Sequence, residues 1–540
     1  MYINNKPHRN LARVIAFLDS ASLFFESKKT ILLVVSTCFL GAAGVFQFLW
    51  GTATYGIGIR TDSVAYLWSA RDLAHGIGLG TVDAFGKFQP LNHYPPLYPI
   101  LLALFEVLKI DPMVGARWLG AVFIGLLVVL FMVIIYRLTK RSFWFPTLGV
   151  LVLLFMPALW DTSLYAMTEP LYLACSLTGL IFLDNYSATK RRRWLILAAV
   201  LLSLSFLTRY IGISVIAVGL LFLLIQRNTG FRRKLGDVII LGAIGFIPMA
   251  VGLLRNDLLT GSGTDRSVQY VAITAQEWQS TFNSLATSVE PIRAVVKFTL
   301  PHLVVFVVAL GMAFLFIRWK AGRSEQIVTQ LPMLLALYAG IYLVLTVVSR
   351  LLVDPTIPLY EDRILYPFLI SVFFLVLYGL DLLLKYLRDR SRLLAVLIAG
   401  FLLLAAWGFI RTNSSAKFPY IRPVLPILQS HYTGLGLQIH PDLIEPFQNA
   451  VAKLPKGILF FADDVERLYF YTGKPSSYID DLTPSDIKTL QVQLSKGTVA
   501  VVFMDATPEK QQTLLDQLPQ FNLVFKDDSG RAVYLGTMTP

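Results

Sequence analysis

The sequence predicts a mainly α-helical, polytopic membrane bundle of about eleven spans, followed by a small extracytoplasmic α/β domain. Three observations carry this. Of the 540 residues, 55% are hydrophobic and 15% charged, against roughly a quarter charged in an ordinary soluble domain. Apolar runs of about twenty residues, long enough to cross a hydrocarbon core, recur from Thr30 to Arg411. Beyond Thr412 the runs shorten, turn residues separate them, and the charge changes: the tail holds 11 basic and 13 acidic residues (11 − 13 = −2), whereas the whole chain is +13. The basic excess therefore belongs to short loops of the membrane part, where it sets topology and does not point to nucleic acid.

The expected spans are residues 30–50, 113–136, 143–160, 170–186, 194–209, 211–226, 235–254, 298–317, 329–349, 364–384 and 393–410. Residues 1–29 form a cytoplasmic preface. Within it Arg9 to Glu26 is amphipathic, with Leu11, Val14, Ile15 and Leu18 at helical spacing, and lies on the membrane surface. The first run lacks a small-residue cleavage site and reads as a retained helix. Cys38 and Cys175 both lie in apolar runs, so neither a disulfide nor a metal cluster is expected.

Orientation follows from lysine and arginine. With the preface, the segments Lys28-Lys29, Arg137 to Arg141, Lys190 to Arg193, Arg227 to Lys234, Arg318 to Arg323 and Lys385 to Arg392 hold 23 of the 36 basic residues before Thr412. That side is the cytoplasm. Pro95 to Lys109 decides the parity: it is apolar but short and carries three prolines. If it spanned, the later basic clusters would lie outside, so it is placed along the outer face. The outer surface then comprises residues 51–112, 160–170, 255–297 and 350–363, with the tail. This divides the chain into the preface, a membrane domain over residues 30–411, and a soluble domain over 412–540. In the tail, 457–462 and 498–504 read as strands and 465–472 and 508–518 as helices. Residues 521–526 and 531–535 read as a hairpin across Asp527-Asp528-Ser529-Gly530.

The outer loops carry the candidate chemistry. Asp62, in Arg60-Thr61-Asp62-Ser63, stands where a short helix begins; it is either an N-cap or a directed carboxylate. His93-Tyr94-Pro95-Pro96 is a stiff turn that presents His93 and Tyr94. The second loop holds Asp161 and Glu169. Glu169, beside Pro170 at the mouth of a span, either favours the helix N-terminus or serves a function, since acids at the membrane edge are costly. Arg209 and Arg363 lie outside, against the topology bias. Snorkelling, or a local pair with Glu361 or Asp362, would account for them; so would phosphate binding in an outer cavity.

Together these pieces resemble the GT-C-fold polytopic glycosyltransferases, closest to the family 39-like enzymes that include protein O-mannosyltransferases and the lipid A aminoarabinose transferase. The likeness covers roughly residues 30–410. It rests on Asp62 in a long first loop, Tyr94-Pro95-Pro96-Leu97, Thr168-Glu169-Pro170, Thr208-Arg209-Tyr210, and Asp362-Arg363 ahead of Tyr366-Pro367. The resemblance implies a first loop folded as two juxtamembrane helices, a polyprenyl- or dolichyl-phosphate sugar donor, inversion at the anomeric carbon, and Asp62 as the base. It places Glu169, less directly Asp161, at an acceptor or divalent-metal site. Arg363 and Arg209 are expected on the donor phosphate, and His93 and Tyr94 in substrate positioning. Ser63 stands where close protein O-mannosyltransferases carry a second acid, and Tyr94 where close aminoarabinose transferases carry a lysine, so the acceptor (lipid, glycan or protein) stays open. The expected setting is a bacterial inner membrane, with membrane lipids as partners. The rival is a transporter or flippase of lipid-linked precursors, which would favour polar residues deep in the spans and an inverted repeat.

Overall fold

The computed structural model describes residues 28–139, 144–226, 230–266, 268–288, 329–353, 357, 359, 361–391, 398–400, 403–404, 425–479, 482–505 and 507–537. The expected preface helix and the span 298–317 lie outside these residues, as does most of the span 393–410.

The first part of the chain is helical. α1 (Lys29–Gly51) leads into the first loop, which contains α2 (Thr61–Ala74), the short hairpin β1 (Gly80–Val82) and β2 (Phe88–Pro90), and α3 (Leu97–Val107). There follow α4 (Pro112–Thr139), α5 (Trp144–Leu154), α6 (Pro157–Ser163), α7 (Glu169–Thr189), α8 (Arg192–Thr208), a 3₁₀ turn at Tyr210–Gly212, α9 (Ile213–Ile225), α10 (Phe231–Thr260), α11 (Ala275–Ser288), α12 (Leu331–Leu352) and α13 (Asp362–Arg390).

Five of these, α1, α4, α10, α12 and α13, are long and apolar enough to cross a membrane. α1 and α10 expose Val34, Val35, Phe39, Phe46, Ile247 and Val251, the side chains a lipid-facing surface requires. α7 differs. It is buried along most of its length and carries Glu169, Asp184 and Asn185, which a helix surrounded by protein can hold and a lipid-facing one cannot. Its neighbours α8, α4 and α12 pack around it.

One expected span is broken. The sequence predicts a single crossing over residues 143–160, but the helix stops at Leu154 and restarts at Pro157. Pro157 disfavours helical backbone at the residue before it, and Met156 is extended at ψ 121°. The restarted piece carries Asp161 on a helix, where a loop was expected.

The basic helix ends meet one another. Arg137 bonds Asp184 (3.3 Å) and Asn185 (2.9 Å), Lys385 bonds the carbonyl of Thr139 (3.2 Å), and Arg233 bonds that of Lys190 (2.6 Å). The first loop is at the opposite end. There Arg117 of α4 reaches back to Thr52 (2.9 Å) and the Leu49 carbonyl (3.0 Å). α3 does not cross between the two ends. Tyr94, just before it, and Asp111, just after it, both bond side chains of α2, namely Asp62 (2.9 Å) and Arg71 (2.8 Å). Eleven residues rise only about 16 Å, half a hydrocarbon core.

The tail forms α14 (Leu425–Thr433), α15 (Pro441–Ala452), β3 (Leu459–Ala462), α16 (Val465–Thr472), β4 (Ser477–Tyr478), α17 (Pro484–Leu494), β5 (Val499–Phe503), α18 (Pro508–Gln517), β6 (Phe521–Lys526) and β7 (Ala532–Gly536). The strands make one sheet in the order β4-β3-β5-β7-β6. β3 is parallel to β4 and β5; β7 is antiparallel to β5 and β6. Alternation along β5 sends Val499, Val501 and Phe503 towards α17 and α18, and Ala500 and Val502 towards α15 and α16. The sheet is thus covered on both faces, which is why β5 reads as an unbroken apolar run.

The tail is fastened to the first loop. Ile59 accepts from Leu437 N (2.8 Å) and donates to the Leu435 carbonyl (3.2 Å). Gly436, between them, adopts φ +69°, and a Cβ there would lie 1.9 Å from the Ile59 carbonyl oxygen. His431 stacks on Trp50 with ring centroids 4.2 Å apart.

Candidate active site

The end of the bundle that carries the first loop gathers charged side chains from four segments. α2 begins at Thr61. Ser63 Oγ accepts from Arg60 N (3.0 Å), so Ser63 serves the helix start and Asp62, in the first turn, is left to point elsewhere. Asp62 Oδ1 accepts from the Tyr94 hydroxyl (2.9 Å) and Oδ2 from Arg363 Nη1 (3.0 Å). Burial alone would raise the Asp62 carboxyl. The charge and hydrogen bond of Arg363, with the Tyr94 hydroxyl and the charge of Arg209, outweigh it and hold the group below its ordinary value of 3.8. Burial, then the Asp62 charge, pushes the Tyr94 hydroxyl far above the usual tyrosine range, so it stays a donor.

Arg363 is itself shared. Its Nε bonds Glu361, and Arg60 Nη1 reaches the same carboxylate at 3.3 Å while lying 4.4 Å over the Tyr165 ring. The local pair of Arg363 with Glu361 is thus present, and beside it stands a contact with Asp62 across 301 positions of sequence.

Glu169 and Arg209 form the second pair. Glu169 is the first residue of α7, ahead of Pro170, and its side chain is 3% exposed. Arg209 is extended between α8 and the 3₁₀ turn; it donates to Thr168 Oγ1 (3.0 Å) and its Nη1 lies 2.6 Å from Glu169 Oε1. That approach is off the hydrogen-bond direction, so Glu169 is paired by charge while neither buried oxygen accepts a hydrogen bond. Tyr66 joins the two pairs: it packs edge-on against Tyr94 (4.9 Å), and the charges of Asp62, Arg209 and Glu169 all act on its hydroxyl.

The structure therefore brings Asp62, Tyr94, Arg363, Glu169 and Arg209 into one cluster. His93 stands beside it, its ring 4.5 Å from that of Tyr94, but it turns to the third outer loop: Nδ1 bonds Asp265 (2.9 Å), and Nε2 faces Arg266 Nη2 (3.4 Å). Asp161, on α6, acts on Tyr165. A divalent ion at Glu169 does not fit the donor set. The carboxylate faces Arg209, feels the charge of Arg363 as well, and among the described residues no three His, Cys, Asp or Glu side chains converge.

The sequence reading treats Tyr66 and Thr168 as context only, and it misses Asp265 and Arg266. Tyr66 had a signal: it is four residues after Asp62, on the same face of a helix. Asp265 and Arg266 had none, because their partner is 172 positions away.

Residues 83–240 match the dolichyl-phosphate-mannose-protein mannosyltransferase family. That segment contains His93, Tyr94, Asp161, Glu169 and Arg209. No curated protein matches the sequence. In fold, the chain is similar to ArnT from Cupriavidus metallidurans, solved in the apo state (14% identity, TM-score 0.55) and bound to undecaprenyl phosphate (14%, 0.53). Each comparison covers 94% of this chain and 98% of the other. It is also similar to the arabinofuranosyltransferase AftD from Mycobacteria (14%, TM-score 0.52), over 93% of this chain and 41% of that one. The chain thus joins a segment that matches the mannosyltransferase family, residues 83–240, to a polytopic helical fold similar to those of ArnT and AftD.

Proposed function

We propose that the protein transfers a sugar from a polyprenyl-phosphate or dolichyl-phosphate carrier to an acceptor hydroxyl on the extracytoplasmic side, inverting the anomeric carbon, with Asp62 as base. One observation carries the reading: Asp62 and the guanidinium of Arg363 meet in direct contact, at the end of the bundle away from the basic clusters. The undecaprenyl phosphate bound by ArnT, and the carrier in the name of the matching family, support a lipid-phosphate donor.

In the reaction the acceptor oxygen attacks the anomeric carbon from the face opposite the phosphate. The bond from that carbon to the phosphate oxygen breaks, and its electron pair leaves with the lipid phosphate. Asp62 takes the hydroxyl proton. Arg363 and Arg209 stabilise the leaving phosphate.

Arg363 also gives the sequence of events a physical basis. While it bonds Asp62 it makes that carboxylate a weak base. An arriving donor phosphate competes for the guanidinium, which suits a phosphate fork better than a shared carboxylate. Asp62 then loses its cation and becomes more basic, so donor binding arms the base before the acceptor reacts.

Asp62→Asn tests the reading in full-length protein. It should cut transfer by about 10²–10⁴-fold and leave undecaprenyl phosphate binding intact. Near wild-type transfer would remove Asp62 from the chemistry.

A further inference from the structure

α16 belongs to the C-terminal sheet domain, yet it packs on α2, the helix that carries Asp62. Its register explains how. Glu466, Tyr469 and Phe470 are spaced i, i+3 and i+4, so they share one helix face. Tyr469 stacks flat on Trp68 of α2, with centroids 3.7 Å apart and planes 1° apart. Tyr469 and Phe470 both pack against the membrane bundle core. Phe85 of the first loop meets Phe461 of β3 at 6.0 Å, and Tyr471 donates to the Leu437 carbonyl (2.7 Å) beside the Ile59 tie. The face is therefore held in place on α2, and it carries a half-buried carboxylate on which the charges of Asp62 and His93 act.

A glutamate in a first turn favours the helix N-terminus, but it does so equally well when it points to water. Glu466 instead sits where burial, Asp464 and Asp62 disfavour its charge, against a hydrogen bond from its own backbone N–H and the charge of His93, and the balance raises its carboxyl. A carboxylate in such a place has a use if a ligand supplies hydrogen-bond donors, because an ionised carboxylate only accepts.

We infer that Glu466 forms the acceptor side of the catalytic mouth, its carboxylate accepting a hydrogen bond from a hydroxyl that neighbours the one Asp62 deprotonates. The acceptor class is then a polyhydroxylated one, such as a glycan or glycolipid headgroup, and the C-terminal domain is part of the active site. Glu466 is a positioning residue. This inference rests on the transferase reading above.

The test uses full-length protein in nanodiscs with undecaprenyl-phosphate mannose as donor. Octyl glucoside, with several hydroxyls, is compared with octanol, which has one. Glu466→Gln and Glu466→Ala should raise the KM for octyl glucoside roughly tenfold or more, with partial rescue by Glu466→Asp. The KM for octanol, the donor KM and transfer to water should not move. If wild type transfers but these variants keep their KM for octyl glucoside, or lose transfer to water by the same factor, this inference alone is overturned. A wild type that transfers to neither acceptor nor water overturns the transferase reading, and this inference with it.

Discussion

At the residue scale, the behaviour of the site turns on who holds Arg363. In the structure it is bonded to Asp62 and Glu361, and the Asp62 carboxyl lies below its ordinary 3.8 as a result. The acid limb of kcat/KM, which reports the free enzyme, should therefore lie below pH 3.8, with transfer lost only as pH falls through that lowered value. The limb of kcat, which reports the loaded enzyme, should lie higher, because the donor phosphate has taken the arginine. Arg363→Met removes the cation and leaves the burial, so it should raise the kcat/KM limb from its wild-type position and increase the donor KM. A pH–rate series on both proteins checks this; coincident limbs would show that Arg363 does not set the basicity of Asp62.

At the scale of elements, the first loop is fixed by backbone contacts as much as by its helices. Residues 57–59 run between the second outer loop and the tail: Gly58 N donates to the Leu164 carbonyl (2.7 Å), and Ile59 pairs with Leu435 and Leu437. Gly436 allows that pairing twice over, by its positive φ and by the lack of a side chain at a carbonyl contact. Gly436→Ala should loosen the tail from the first loop while leaving the sheet domain folded. The expected signature is faster proteolytic release of residues after the last span, with transfer reduced by an order of magnitude or more as Glu466 and α16 leave the mouth. Proteolysis and transfer unchanged from wild type would show that the junction tolerates the clash.

At the scale of the whole molecule, the two ends of the bundle are chemically distinct. One end gathers Arg137, Lys190, Arg233 and Lys385. The other gathers the first loop, the Glu169 and Asp62 clusters and the sheet domain. From the bias of basic residues towards the cytoplasm we propose that the first end faces inward and the tail outward. A reporter fused after Pro540 that is active only outside the cytoplasm should give signal. Activity of a cytoplasm-only reporter at the same place would reverse the sidedness and put the proposed donor chemistry on the wrong leaflet.

The sequence by itself determined the elements whose signal is local. Long apolar runs must cross or be buried, so α1, α4, α10, α12 and α13 fall where hydropathy places them. The buried strand β5, the hairpin of β6 and β7, and the helix at Val465–Thr472 follow from alternation, turn residues and spacing. Glu169, Arg209 and Arg363 were likewise legible, as charged residues at the ends of apolar runs where hydrocarbon penalises them, and Asp62 and Tyr94 as polar residues at a helix start and a proline turn of the first loop. What only the tertiary structure decided is pairing. Nothing local links Asp62 to Arg363, His93 to Asp265, or Trp68 to Tyr469, because each contact closes a loop of more than a hundred residues and is formed by the packing of helices and sheet. The break at Pro157 belongs to both: the proline is local, but the helices packed around the break decide where the chain turns.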